Sequence, residues 1–291
     1  MKIGWIGTGV MGNSMVQHVL KKFPTIYVYS RTQSKLQNLL DAGCVLKTPL
    51  EIAQECDVIV TMLGYPHDVE EILLNKENGV VNFCKPGTLV IDHTTSAPGL
   101  AKRIAEIAQG RNVDVIDAPV SGGDVGAKNG TLIVMCGGSQ TAFEKSQQVI
   151  GCYAKDCKLF GGAGMGQHAK MANQISVASS IIAVSETLLY AESVGLDSKT
   201  LIDLIKNGAA ASFSLEKYGP RILDGNFDPG FYVEHFVKDI EICLDECRKL
   251  NLTLPGLTNA HMLYKMYIAH GGAKKGAHGL IECLRVINNR K

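Results

Sequence analysis

The sequence lacks a dominant charge: 29 Lys and Arg stand against 28 Asp and Glu over 291 residues, a formal net charge of +1. No broad field therefore draws nucleic acid or an anionic membrane, and an anionic ligand must be held by a local site. A clean membrane span is lacking too. The longest apolar candidate, residues 171–191, carries Asn173, Gln174, Glu186 and several serines, which reads as a buried helix. The nine cysteines are odd in number and scattered, with no CxxC pair and no zinc-ligand spacing. Reduced thiols and no metal are expected, as in a cytosol-like compartment. A strand-like run begins at Lys2 with no charged region and apolar stretch ahead of it. No signal peptide is read there, and a cytoplasmic location is expected.

Internal repeats and low-complexity segments are also missing. What is present is ordinary globular material, 46% hydrophobic and 20% charged. At roughly 150 residues per domain the length suggests two domains. In the first half, short Val- and Ile-rich runs at 3–6, 26–29, 58–62, 89–91, 113–116 and 132–135 read as strands covered on both faces. Helical patterns at 11–22, 33–41 and 98–109 lie between them. Such alternation predicts an α/β, doubly wound parallel sheet. After Phe160 no further strand is read. A helix is predicted over 166–193, ended by Gly195 and roughly 40 Å long, enough to join two domains. Helices at 198–207, 233–250 and 257–270 follow, punctuated by Pro220, Pro229 and Pro255. The expected organisation is an α/β domain over 1–162 and an all-α domain over 163–291.

The first strand runs into Gly7-Thr8-Gly9-Val10-Met11-Gly12, a GxGxxG that opens an apolar-periodic helix. Glycine is needed there for a tight turn, for close backbone approach to a pyrophosphate and for helix-on-strand packing. The helix N-terminus offers free N–H groups and partial positive charge to phosphates. An NAD site usually places an acid at the end of the second strand. Here Tyr29-Ser30-Arg31-Thr32-Gln33-Ser34-Lys35 follows, with no acid until Asp41. Ser30, Arg31, Thr32 and Lys35 suit a 2′-phosphate, which favours NADP; the competing reading is a solvated basic turn. Later loops with Leu63 and Gly64, and with Thr95, sit at strand ends where the nicotinamide ribose would lie, or are simple turns.

Asp117-Ala118-Pro119-Val120-Ser121-Gly122-Gly123 follows another strand. The Ser121 hydroxyl and the unobstructed amides of Gly122 and Gly123 make an anion nest for a substrate carboxylate, or else a turn into a helix. Further on, Lys170 and Asn173 are three apart and share a helix face. Met171, Ala172, Ile175 and Ala178 suggest burial, and a buried lysine loses hydration, which lowers its pKa toward neutral proton exchange. A lysine snorkelling to the surface is the bland alternative. A lone His168 beside a glycine turn reads as structural.

These residues together resemble the β-hydroxyacid dehydrogenases. That family includes 3-hydroxyisobutyrate dehydrogenases, tartronate semialdehyde reductases and glyoxylate/succinic semialdehyde reductases, and is related to 6-phosphogluconate dehydrogenase. The resemblance covers nearly the whole chain in four ordered motifs: Gly4 to Gly12, Asp117 to Gly123, Gly164-Met165-Gly166 through Lys170 and Asn173, and Phe236-Val237-Lys238-Asp239-Ile240. It implies a Rossmann domain joined by a long helix to a helical domain, with the active site in the cleft and dimers or tetramers as assemblies. It further implies Lys170 as proton donor and acceptor, Asn173 as orienting group, Ser121, Gly122 and Gly123 on the carboxylate, and Lys238 at the cofactor. Gln174 stands where the family often has a second asparagine. Lys274-Lys275-Gly276-Ala277-His278-Gly279 departs from a stretch with an acid and a serine. Arg31 and Phe231 resemble the glyoxylate/succinic semialdehyde reductases, in which Phe231 would line the substrate pocket; core packing is its competing role. An NADP-dependent reductase of a short aldehyde acid is expected. An NAD-dependent 3-hydroxyisobutyrate dehydrogenase and a non-catalytic dinucleotide-binding module are the alternatives. An imine-reducing relative would be expected to lack the lysine.

Overall fold

The computed structural model describes residues 1–290. Its first part interleaves strands β1 (Ile3–Ile6), β2 (Ile26–Tyr29), β3 (Val45–Leu46), β4 (Val58–Thr61), β5 (Leu89–Asp92), β6 (Asp114–Asp117), β7 (Val120–Ser121), β8 (Leu132–Gly138) and β9 (Ala154–Leu159) with helices. The helices are α1 (Val10–Leu20), α2 (Gln37–Asp41), α3 (Pro49–Glu55), α4 (Pro66–Leu74), α5 (Val80–Phe83), α6 (Pro98–Gln109), α7 (Gly123–Asn129) and α8 (Gln140–Ile150). The sheet order is β3-β2-β1-β4-β5-β6-β8-β7, with β9 on β8. Strands β3 to β6 in that order are parallel, while β8 runs antiparallel to β6 and β7.

The short Val/Ile runs form central strands because both of their faces are covered. Ile3, Trp5, Val58, Val60, Leu89 and Ile91 pack with Met15, Val16 and Val19 of α1 on one face. Ile6, Ile59 and Val90 point the other way, onto Ile52 of α3, Val69 of α4 and Ile104 of α6. The period of two thus feeds two cores at once. Strand order reverses between β1 and β4, which makes their carboxyl ends the topological switch point.

Helix α9 (Met165–Val194) spans 30 residues, about 45 Å. By length and composition alone it passes for a membrane span, as a buried core helix also does, and Ala178, Ile181, Val184, Leu188 and Ala191 along it are buried. Gly195, at φ +75°, follows its end. The compact units are Met1–Lys170 and the remainder from Met171. The expected boundary at 162/163 falls ahead of α9, whereas the units divide inside it, because the first turn of α9 is bonded to the strand ends of the first unit.

The second unit is helical: α10 (Ser198–Ile205), α11 (Phe213–Leu223), α12 (Val233–Lys249), α13 (Pro255–Ala269) and α14 (Leu280–Ile287). Val184 and Leu188 of α9 pack with Ile202, Leu215, Ile222 and Ile281, and Phe236 meets Tyr264 edge to face. Pro220 lies within α11 rather than between helices. It lacks the N–H that would bond the Glu216 carbonyl, so α11 gives up one intrahelical bond in the turn before its C-terminal end. Pro255 is the first residue of α13, a position that tolerates a missing N–H.

Candidate active site

The glycine turn is built by three different needs. Gly7 sits at φ +97°, and a Cβ on it would lie 2.2 Å from the Met62 carbonyl oxygen at the end of β4. A Cβ on Gly12 would lie 2.1 Å from the Gly7 carbonyl oxygen, so α1 closes on the turn only without a side chain. A Cβ on Gly9 would meet nothing within 4 Å, which leaves room for an approaching group. Gly9 caps α1 with no side-chain acceptor for the first amides, at Val10 and Met11. The Thr8 Oγ1 is buried and has no hydrogen-bond partner. Open space, free helix amides and an orphaned buried hydroxyl together fit a dinucleotide pyrophosphate.

At the end of β2, Ser30 is half-buried while Arg31, Thr32 and Lys35 are exposed. Arg31 is not simply solvated: its Nη1 lies 2.8 Å from Asp68 Oδ1, although the arginine side chain is 75% exposed. Asp68 is buried, and its Oδ2 accepts the Tyr65 N–H at 3.1 Å. The local sequence offered no acid before Asp41, but the fold brings one in from α4. Between the two, Leu63 and Gly64 are half-buried after β4, and the Leu63 N–H donates to Thr94 Oγ1 at 2.9 Å. This joins the loop of β4 to the loop of β5 that holds half-buried Thr95.

Asp117 ends β6 and is buried. It accepts the Gly164 N–H at Oδ1 (2.7 Å) and the Gln167 N–H at Oδ2 (2.8 Å), and so holds the start of α9. Burial pushes its carboxyl up to about 7 against the pull of those two N–H bonds; the neighbouring Asp92 charge adds to the rise. Gln167 continues the clamp. Its Oε1 accepts the Ser96 N–H (2.9 Å) and its Nε2 donates to the Thr94 carbonyl (2.8 Å). A Cβ on Gly166 would lie 2.4 Å from the Asp117 carbonyl oxygen and 2.5 Å from that of Met135, so only glycine lets the helix sit this close.

With α9 so anchored, Lys170 is buried rather than snorkelling. Its Nζ donates to the Val120 carbonyl oxygen at 2.9 Å. The next residue is Ser121, half-buried with Gly122 and Gly123. Gly122 and Gly123 both have positive φ, +125° and +64°, a backbone that turns successive amides toward one side. Lys170 and the turn at Ser121, Gly122 and Gly123 are therefore neighbours. His168 is half-buried on the same turn of helix.

In the second unit, Asn173 Nδ2 donates to Gln174 Oε1 (2.9 Å), and Gln174 Nε2 donates to Asp239 Oδ2 (2.7 Å). Lys238 Nζ lies 2.8 Å from Asp239 Oδ1. Gln174, in place of a second asparagine, thus reaches α12 and ties Asn173 to the Lys238 pair. Phe231 is half-buried and meets Phe236 edge to face at 5.5 Å. Met171 and Ala178 are buried as expected, but Ala172 is exposed because it falls on the outer side of α9.

Asp68, Asp117, Gln167 and Asp239 hold these residues in place, and none of them was given a role from sequence. Asp68 had a local signal, since Pro66 at the first helical position and an acid two residues later mark a helix start. Asp117, Gln167 and Asp239 were visible only as members of motifs.

Comparison with known proteins covers nearly the whole chain. Residues 2–162 match the NAD binding domain of 6-phosphogluconate dehydrogenase. Residues 164–284 match the NAD-binding domain of NADP-dependent 3-hydroxyisobutyrate dehydrogenase. The chain is 46% identical over 289 residues to the probable 3-hydroxyisobutyrate dehydrogenase-like 1, mitochondrial, of Arabidopsis thaliana, covering 99% of this chain and 86% of that one. It is 34% identical to the 2-hydroxy-3-oxopropionate reductase of Escherichia coli K12, covering 100% and 99%. The solved structure of Mycobacterium tuberculosis 3-hydroxyisobutyrate dehydrogenase with L-serine superposes with a TM-score of 0.88 at 26% identity, covering 98% and 99%.

Proposed function

As the chain belongs to the β-hydroxyacid dehydrogenase family of NAD(P)-dependent oxidoreductases, we propose that it interconverts a short aldehyde acid and its hydroxyacid, of the glyoxylate or succinic semialdehyde type, with NADP. The observation that carries this reading is the buried Lys170 ammonium on the Val120 carbonyl, one residue ahead of the Ser121 nest. The dinucleotide, when bound, supplies or takes up the hydride. Gly7 to Gly12 and Thr8 would hold its pyrophosphate, and Leu63, Gly64 and Thr95 would face the nicotinamide ribose.

In reduction, negative charge grows on the substrate carbonyl oxygen, and Lys170 donates a proton to it from Nζ. In oxidation the neutral amine removes the hydroxyl proton. Ser121, Gly122 and Gly123 hold the carboxylate, so the reacting carbon is presented in one orientation. Asn173, one turn along α9, orients the substrate oxygen. Lys238, paired with Asp239, would reach the cofactor, and Phe231 would line the substrate pocket. A homodimer or homotetramer is part of this reading; exposed Tyr190 and Leu204, at 68% and 72%, are apolar surface of the kind such interfaces cover.

Arg31 supports NADP, because Asp68 engages one of its nitrogens and a guanidinium has donors left for a 2′-phosphate. The same Asp68 favours the second reading, an NAD-dependent 3-hydroxyisobutyrate dehydrogenase, since a carboxylate at this end suits a ribose hydroxyl. The test is a panel of glyoxylate and the succinic, methylmalonate and tartronate semialdehydes with NADPH and NADH, followed by the reduced cofactor's absorbance. NADPH is expected to win, and Arg31→Asp to raise its KM roughly 10- to 100-fold, with NADH little changed. Equal use of both cofactors by the unmodified protein overturns the role given to Arg31.

A further inference from the structure

His93 follows β5 directly and takes no part in the proposed proton transfer, yet it is fully buried with both ring nitrogens engaged. Nδ1 lies 2.6 Å from the Ala118 carbonyl oxygen. A carbonyl only accepts, so Nδ1 carries the proton. Nε2, 2.7 Å from the Tyr153 hydroxyl, therefore accepts from it. Burial holds the ring down to about 4, which keeps it neutral in this single tautomer. The ring stacks on Trp5 at 6.3 Å, with Tyr153 edge-on to both. Trp5 in turn donates from Nε1 to the Gly7 carbonyl at 3.1 Å, inside the glycine turn.

Ala118 starts a stretch whose backbone is tied residue by residue. Its N–H donates to the Asp92 carbonyl (2.7 Å), the Met135 N–H donates to the Pro119 carbonyl (3.0 Å), and Lys170 donates to the Val120 carbonyl. The Ala118 carbonyl is held by the His93 ring. Pro119 locks its own φ, so a displacement of Ala118 carries over to Val120. An aromatic hydrocarbon ring would also stack on Trp5, without the cost of burying a titratable group. What histidine adds is the donor to Ala118 and the acceptor that holds Tyr153 behind it.

We propose that His93, backed by Tyr153, is a positioning residue for hydride transfer. It fixes the Ala118–Val120 backbone, and through it the Lys170 ammonium, relative to the glycine turn that Trp5 holds. This rests on the reading of Lys170 as proton donor.

Asparagine places its Nδ2 where the ring has Nδ1, whereas glutamine reaches only toward Nε2. His93→Gln is therefore expected to lower kcat roughly 10- to 100-fold, with the NADPH KM within about twofold, while His93→Asn restores kcat to within about threefold. Emission of Trp5, the single tryptophan, should shift in the glutamine variant, an effect independent of turnover. Wild-type kcat in both variants overturns the proposal. Should the glutamine variant not fold, Tyr153→Phe takes its place: kcat is expected to fall several-fold at unchanged NADPH KM, and an unchanged kcat overturns the proposal. Lys170→Ala, assayed alongside, separates the two readings. Full turnover there sinks the proton-donor role, whereas full turnover in His93→Gln with Lys170→Ala inactive sinks the positioning role alone.

Discussion

Asp117 and His93 are buried on neighbouring strand ends and respond to acid in opposite directions. The Asp117 carboxyl, pushed up to about 7, holds its proton better in the folded chain. Its contribution is present below about pH 4 and is lost as pH rises to about 7. His93, held down to about 4, stays neutral when folded, while the unfolded chain binds a proton below about 6.5. Its contribution is present above about 6.5 and is lost as pH falls toward 4. Between pH 4 and 6.5 the two slopes offset one another. Asp117→Asn removes one of them. Its stability to urea is expected to drop by about 3 kcal/mol on going from pH 6.5 to 4, where the parent changes much less. A parent and variant with parallel pH profiles would contradict these assignments. Nothing near His93 in the sequence announces this role. Its partners are Ala118 and Tyr153, far along the chain, and a histidine after a strand looks the same whether it is exposed or bonded at both nitrogens. Lys170 was more legible, because the helix around it was apolar enough to predict burial.

The elements read best were those whose signal is local and strong. Strands β1 and β2 and helix α6 lie where the apolar runs place them, and Gly195 stops α9. Strand β9 escaped because Ala-Lys-Asp-Cys-Lys-Leu has no apolar run; it pairs with β8, and its side chains are exposed or half-buried. Helix α3 carries a capping box, Thr48 with Glu51, and α8 a Ser139 cap, signals strong enough to have been used. The start of α9 depends on tertiary contact instead. Gly166→Ala must push the helix off the Asp117 and Met135 carbonyls. It is expected to cost about 1–3 kcal/mol in urea unfolding and to lower kcat by more than the lost folded fraction, since Lys170 lies one turn further on. Wild-type kcat in folded Gly166→Ala would mean that the helix start does not set the lysine.

At the scale of the whole molecule, one sheet gathers loops from five positions of the chain at its carboxyl ends, and that gathering was legible only as a fold class. The β-α alternation implied that Gly7, Arg31, Leu63, Thr95 and Ser121 would lie at strand ends. It did not say that Asp68 would meet Arg31, or that Asp117 would clamp α9 so that Lys170 reaches the Val120 carbonyl. Those are long-range facts of packing, and they decide the chemistry. The most direct measurement is the turnover number of Lys170→Ala with NADPH and the best aldehyde acid, with cofactor binding followed separately. Turnover is expected to fall by about two to four orders of magnitude while NADPH binds nearly as before. Near-normal turnover in that variant would contradict the assignment of Lys170 as the proton donor.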